Sequence, residues 1–484
     1  MCHSRVRSAL CVIAALASSA FVRQQAKPLS RADSALVGRI LSAEDRRDST
    51  DRALAEGIRH RDARVQMLAR RAIGRIRDPR FAGRDSLPVP PAPKVWPEPA
   101  WRLRFRALSS QKDCGALRLA LADSAWPVRL RAADVAPAPC ASDTALVATL
   151  RGWIDALPAD ASARARGGVA WQAAAHAVVA MARLQLDDAR PRAVALAANA
   201  QWPLRVYAAR AFGILHDSVR LRALVHDRDD NVKEAVILAL RGLTGHADDS
   251  LYIGALRANG AQAVRAAAGA LEGSPRPEAR QAASDAFERW VARDNASARD
   301  ARIALLAAAG RPASDDRPPP TTSEIPKDAV ALALGADVRL RVTMAPSSGG
   351  GSFTVQLRGD VAPIMAARVL GLVRRRYYDG LTWHRVEPDF VIQGGGPGAN
   401  EYVGYARYFR DELGTVPHVR GTVGMSTRGR DTGDAQWFVN LRDNVRLNRD
   451  YAVFAEVIDG MEVVDGVLEG DAIDRIEELA ARSP

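Results

Sequence analysis

TWHRVEPDFVIQGG at residues 382–395 and GMSTRGRDTGDAQWFVNL at 424–441 carry more chemistry than any other part of this chain of 484 residues. Both runs break into short apolar stretches separated by glycine-containing polar loops, the pattern of short strands. Several familiar signatures fail on them. GGGPGA at 394–399 contains G-x-G-x-x-A, but no clear helix follows and Pro397 sits inside it, so a dinucleotide loop is not expected. Gly424-Met425-Ser426-Thr427-Arg428 lacks the second glycine of a nucleophile elbow. Neither HExxH nor CxxC occurs. His384 and His418 read as structural residues, and no metal or cofactor is expected.

Outward from these runs the periodicity changes at one clear break. GRPASDDRPPPTTSEIPK at 310–327 is rich in Pro, Asp and Ser, and predicts a semi-rigid interdomain linker over 313–327. After it, VRLRVTM (338–344) and SFTVQLRGD (352–360) alternate apolar and polar residues and predict paired strands; residues 361–376 read as a helix, and a last helix is expected around 471–481. Before it, from about residue 34 to 312, apolar residues recur at helical spacing.

Within that helical region a local motif returns in ARVQMLARRAIG (63–74), WPVRLRAADVA (126–136), WPLRVYAARAFG (202–213), NVKEAVILALRGL (231–243) and QAVRAAAGAL (262–271). Its apolar anchors Val65, Val128, Leu204, Val232 and Val264 are 63, 76, 28 and 32 residues apart, single repeats and apparent doublets. The pattern resembles HEAT-type repeats, helix pairs that bury their apolar faces only by stacking on their neighbours. An all-α solenoid over residues 30–312 is expected. Arg129, Arg205, Lys233 and Arg265, one after each of four anchors, read as bonds to turn carbonyls and acidic neighbours. Trp126, Trp202 and the prolines after them read as turn and packing residues. GRDSLPVPPAPKVWPEP at 83–99 reads as an extended excursion.

The formal net charge is +12, unevenly spread: residues 328–484 hold 18 Arg and no Lys against 22 Asp and Glu, so the excess lies before them. With 63 of 68 basic residues being Arg in an Ala-rich chain, coding bias accounts for the composition and no specific nucleic-acid partner is expected. Residues 1–22 read as a signal peptide, with Arg5 and Arg7 ahead of an apolar stretch at 9–17 and Ser18-Ser19-Ala20 as a cleavage site. That stretch is well short of the ~20 residues of a membrane span. No transmembrane span is expected elsewhere, and the mature protein is expected in the periplasm or cell envelope. Removal of the signal leaves Cys114 and Cys140, which either form one disulfide or stay as two buried thiols on helices.

The two opening runs resemble the active-site core of the cyclophilins, prolyl cis/trans isomerases, and the resemblance extends over roughly residues 335–480 through YYDGLTWHRV (377–386) and YAVFAEVIDGMEVVD (451–465). It implies a closed antiparallel β-barrel with flanking helices over 328–484 and action on Xaa-Pro bonds of proline-containing polypeptides. Arg385 matches the family's catalytic arginine. Phe390, Val391, Gln393, Ser426, Thr427, Gln436, Phe438, Leu447 and Tyr451 match substrate contacts. Arg446 stands where many members carry Trp or Phe, and Thr427 replaces a frequent Asn; altered substrate preference and weak cyclosporin binding are expected. Taken singly, an arginine on a strand is usually solvated and a phenylalanine is usually core. Their joint spacing carries the resemblance. The chain therefore reads as an exported folding helper, an isomerase whose solenoid binds clients or an unknown protein partner. The rival is a scaffold that captures proline-containing segments without catalysis.

Overall fold

The computed structural model describes residues 28–77, 90–165, 167–293, 295–317, 321 and 324–480. The expected signal peptide lies outside the described residues, as does the first part of the 83–99 excursion. Among the described residues no helix is long and apolar enough to cross a membrane.

After residue 338 the backbone turns from helix to sheet, where β-branched and aromatic residues begin to alternate with polar ones. The strands are β1 (Arg339–Met344), β2 (Ser352–Leu357), β3 (Arg385–Glu387), β4 (Val391–Gly394), β5 (Thr422–Met425), β6 (Trp437–Asn440), β7 (Val453–Asp459) and β8 (Ile473–Glu478). They form one antiparallel sheet in the order β3-β4-β6-β5-β7-β2-β1-β8. The expected barrel is, more narrowly, a curled half-barrel. No ladder joins the outer strands β3 and β8; the segments just ahead of them are stitched instead. Gly380 N–H donates to the Ile473 carbonyl (2.8 Å), Ile473 N–H to Leu381 (2.8 Å), Trp383 N–H to Asp471 (2.9 Å) and Gly470 N–H to Trp383 (2.9 Å).

The helix expected around 471–481 is strand β8. Its buried residues, Ile473 and Ile476, are three apart because the β1–β8 register shifts between Thr343 and Met344. A bulge puts two residues of one strand against one of its partner and so breaks the two-residue alternation; the sequence shows a helix-like spacing in its place.

Helix Pro363–Arg374 begins with Pro363, whose missing N–H costs nothing in a first turn. It is buried almost all round: the sheet covers one side, helix Asp328–Ala333 packs on it and on helix Arg31–Arg46, and the helices Arg31–Arg46, Arg52–Ile58 and Ala63–Arg77 share one continuous core with the barrel. These three helices were expected to open the solenoid. Their apolar faces, including Val37, Ile40, Leu41, Val65 and Leu68, instead complete the barrel's core. Buried charges are paired here as well: Arg75 with Glu44 (2.6 Å) between two of these helices, and Arg368 with Asp45 (3.1 Å) across the junction. Arg75 also donates to the carbonyls of Leu413 (2.8 Å) and Val361 (2.5 Å).

The stacked array itself runs from residue 101 to 309, with apolar cores over 108–189 and 161–308. Helices Gln172–Arg183, Trp202–Ile214, Asp230–Thr244, Ala261–Leu271 and Arg299–Ala309 pack each on the next. Val128, Leu204, Val232 and Val264 are buried, and alanines such as Ala208, Ala267 and Ala268 let the helices approach. The basic residues after the anchors act largely as the sequence suggests. Arg205 bonds Asp227 (2.7 Å) and the carbonyls of Asn199 and Ala200 (3.0 Å each); Lys233 pairs with Asp230 (2.9 Å) and Arg265 with Glu234. The Cys114 and Cys140 sulfurs lie at bonding distance, 1.96 Å, as a disulfide.

The described part of the Pro-rich excursion lies along β7. Lys94 N–H donates to Glu456 (2.9 Å) and the Trp96 indole N–H to the Val457 carbonyl (3.0 Å). Gly421, at φ +89°, sits under Trp96, where a Cβ would come 2.6 Å from the ring. Just beyond, the fully buried Arg102 donates to the carbonyls of Pro388 (2.6 Å) and Leu441 (2.8 Å) and to Asp465 (2.8 Å). The expected linker is also tied down: Asp316 pairs with Arg302 (2.6 Å) and Thr321 accepts from Arg410 (2.8 Å).

Asp411 lies in the loop leading to β5, beside the first three helices. Burial pushes its carboxyl from 3.8 up to about 6. The folded state therefore holds a proton that the unfolded chain releases. The stability that proton contributes is complete below about pH 4 and is lost as pH rises through about 6, on the order of 3 kcal/mol. Asp411→Asn keeps an acceptor for the Asp431 N–H (3.0 Å) and removes the titration. Thermal melts from about pH 4 to 7 should show the variant gaining on the wild type as pH rises; a constant difference between the two would exclude this titration.

Candidate functional site

Register places the site residues. Arg385 on β3 lies opposite Gln393 on β4, Gln393 opposite Phe438 on β6, and Phe438 opposite Gly424 on β5. Residues paired across antiparallel strands point to the same face, so these four form one row on the face turned away from the main core. Their strand neighbours Ile392, Trp437 and Val439 point the other way, into that core. Two residues back along β4, Val391 joins Phe438 and Leu447 in a small separate apolar cluster, with Phe390 and Tyr451 packed against it. Phe438 is its floor, stacked on His418 (ring centroids 5.9 Å apart) and met edge-on by Tyr451 (5.8 Å). Gly424 makes room for that ring, since a Cβ there would lie 2.4 Å from Phe438 Cζ.

A cavity of about 270 Å³ opens over this floor, lined by Arg385, Phe390, Val391, Gln393, Ser426, Thr427, Phe438, Arg446, Leu447 and Tyr451 together with Glu401 and Arg428. Gln436 is buried behind the lining. Its Oε1 accepts from Gln393 Nε2 (3.3 Å) and its Nε2 donates to the carbonyls of Glu401 and Val403 (3.3 Å each), so it holds Gln393 and the loop in place. Gln393 Nε2 also donates to Ser426 Oγ (3.0 Å).

The Arg385 guanidinium is oriented by three acceptors: Glu387 Oε1 at Nε (2.9 Å), Gln393 Oε1 at Nη1 (3.4 Å) and Glu401 Oε1 at Nη1 (2.9 Å). It stands 5.8 Å from the Phe390 ring centroid. Arg385, Glu387 and Glu401 keep 35–50% of their side-chain surface in water. Ion pairs this exposed are weak, so they aim the fork without locking it. Arg446 lays its guanidinium over Phe390, 4.3 Å from the ring centroid, and covers the ring's outer face. Burial lowers His384 from 6.5 to about 4, so the imidazole beside Arg385 is neutral at physiological pH. Among the described residues no group of three or more His, Cys, Asp or Glu could hold a metal ion.

Three residues of the site escaped the sequence reading. Glu387 was legible, because it is two residues from Arg385 on one strand and shares its face. Glu401 and Arg428 were not, for both are placed by the helical region. Asn231 Nδ2 donates to the Gly398 carbonyl (3.1 Å), Asn400 Nδ2 to Asn231 Oδ1 (3.0 Å), and Tyr402 lies under Arg265, whose guanidinium is 3.8 Å from its ring centroid. These contacts fix the loop that carries Glu401. Arg428 bridges Asp434 (2.9 Å) and Asp300 (2.5 Å), the latter on helix Arg299–Ala309.

Gly424→Ala should drive the Phe438 ring up into the cavity. The expected outcome is a protein with native far-UV circular dichroism and at least about ten-fold weaker binding of an Xaa-Pro peptide by NMR titration, as overpacking costs 1–3 kcal/mol; unchanged affinity would show that this cavity is not where the peptide binds.

The family model described as "Cyclophilin type peptidyl-prolyl cis-trans isomerase/CLD" matches residues 341–478. A peptidyl-prolyl cis-trans isomerase-like 1 from Rhizopus delemar is 35% identical over 133 residues, 26% of this chain and 81% of that protein. A probable peptidyl-prolyl cis-trans isomerase from Brucella suis is 32% identical over 173 residues, 32% of this chain and 84% of that protein.

Proposed function

The chain belongs to the cyclophilin-type peptidyl-prolyl cis-trans isomerase family through residues 341–478, and from that premise we propose that it turns over Xaa-Pro bonds of exported proteins and assists their folding. Rotation about an Xaa-Pro bond breaks amide resonance and faces a barrier of ~18–20 kcal/mol. As the amide twists, the prolyl nitrogen recovers its lone pair and becomes an acceptor. Phe390, Val391, Phe438, Leu447 and Tyr451 hold the ring in a desolvated slot, and Arg385 at its rim supplies the donor. Gln393, held by Gln436, and Ser426 and Thr427 fix the flanking backbone. A donor that engages fully only in the twisted state lowers the barrier without tightening the ground state.

The observation that carries this reading is the row Arg385–Gln393–Phe438, a charged donor two strand pairs from an apolar floor with Gln393 between them. The rival, a proline-binding scaffold without catalysis, draws support from the two carboxylates already engaging Arg385. NMR exchange spectroscopy on an Xaa-Pro peptide separates the two. The isomerase reading expects wild-type turnover and a loss of about a hundred-fold or more in kcat/KM for Arg385→Ala, the scale of removing one transition-state donor. Binding without turnover in the wild type would establish the scaffold.

Export is supported by the basic and apolar segment at the start of the chain and by the Cys114–Cys140 disulfide, which persists in oxidising compartments. The periplasm or cell envelope is the compartment proposed. The helical region is proposed to hold clients close to the barrel, or to dock a protein partner. Fractionation of cells expressing the full chain should recover it outside the cytoplasm, shortened near residue 22; an intact cytoplasmic product would remove the exported-client part of the reading.

A further inference from the structure

The proline cavity does not end at Arg385. Arg385 and Glu401 line it from one side, and from the other they line a second hollow of about 1000 Å³ between the β3 edge of the barrel and the stacked helices Gln172–Arg183, Trp202–Ile214, Asp230–Thr244 and Ala261–Leu271. Neither part of the chain forms this trough alone. Trp202, Val206, Ile214 and Leu238 face Val386 across it. Leu238 and Ile214 leave 55% and 39% of their surface exposed, and both lie on this one hollow, so their exposed areas join in a single apolar patch. The bed between the helices is small-chained, with Gly213, Ala235, Ala239 and Gly242, and a Cβ added at Gly242 would meet nothing within 4 Å.

Most charges around the trough are already engaged, while Arg210 lies over the Tyr207 ring, 4.5 Å from its centroid. Glu234 is taken by Arg265 and Gln262, and Glu469 accepts from the Tyr207 hydroxyl (2.9 Å). Asn400 and Asn231 bond each other. What remains for a ligand is mostly apolar surface, with Arg210 beside it. Its continuity with the proline cavity through two shared side chains selects the occupant. A polypeptide whose proline sits beside Arg385 must pass one flank across that guanidinium, and an extended chain advances about 3.3 Å per residue. A few residues bring its side chains over the trough.

We propose that this trough is an extended subsite for the same substrate chain, taking an apolar side chain a few residues from the isomerised proline. The protein would then select Xaa-Pro bonds set in apolar sequence, which unfolded chains expose and folded proteins bury. The inference rests on the isomerase reading and adds a specificity-determining surface built jointly by the two parts of the chain.

The test uses the full chain and a peptide set: a short Xaa-Pro tetrapeptide, and longer peptides with one Leu placed two to six residues before or after the proline. Each longer peptide is paired with a Ser version and with a Leu version in which Ala replaces proline. NMR exchange gives kcat/KM, and anisotropy gives affinity. At one or two positions on one flank, Leu should raise kcat/KM about ten-fold over Ser, the scale of burying most of one such side chain. Two variants should bring that ratio towards one: Leu238→Ser, which removes exposed apolar surface, and Gly242→Leu, which fills the trough and suits a helix better than glycine. A wild-type ratio near one at every position, with the tetrapeptide still turned over, overturns the trough and spares the isomerase reading. Turnover of no peptide overturns both. Equal affinity for the Ala-for-Pro peptides overturns the trough as a substrate subsite, since it would then be a docking surface independent of proline.

Discussion

A buried guanidinium carries five N–H donors and a permanent charge, and folding tolerates it where the charge and most of the donors are answered. This chain uses that requirement to make one body out of two architectures. Arg75, Arg102 and Arg164 come from three separate stretches of the helical part, and each ends among carbonyls and carboxylates of the barrel. Arg75 caps Val361 and Leu413; Arg102 caps Pro388 and Leu441 and pairs with Asp465; Arg164 pairs with Asp471 (2.5 Å) and caps Gly466 (2.9 Å). Removing one would leave barrel carbonyls short of a donor in a desolvated junction, and losing Arg164 would take from the buried Asp471 its cationic partner, a larger penalty than losing one contact. The arginine excess, bland as composition, thus has a structural use.

That junction reaches the site. The barrel alone supplies the row of Arg385, Gln393, Phe438 and Gly424, for it follows from antiparallel pairing. The carboxylate of Glu401 at Arg385 Nη1 and the clamp of Asp300 on Arg428 depend on where the helices lie. The aim of the guanidinium is therefore a property of the joined molecule, while the apolar cavity beside it belongs to the barrel.

Much of the fold was legible because local patterns and long-range packing agree. The repeat helices carry buried anchors at the predicted positions, and β1, β2 and helix Pro363–Arg374 fall where the periodicity places them. It failed where packing imposed a local exception. The bulge between Thr343 and Met344 turns the two-residue alternation of β8 into a three-residue spacing that imitates a helix. The helices at 31–77 have the same amphipathic pattern as true repeats, and a pattern says that an apolar face is covered, not by what. Only the fold reveals that the barrel covers it.

The sequence by itself pointed to the chemistry through the resemblance that Arg385, Phe390, Gln393, Gln436 and Phe438 carry together. It also determined the helical and sheet halves and the two cysteines available to pair. The tertiary structure decided which halves share a core, that Gln436 supports Gln393 from behind the cavity wall, and that Glu401, Arg428 and an apolar trough surround the site. Those depend on contacts between residues 43 to more than 300 positions apart. Their formation is set by complementary shape and by the need to pair buried charges, neither of which leaves a mark on nearby sequence.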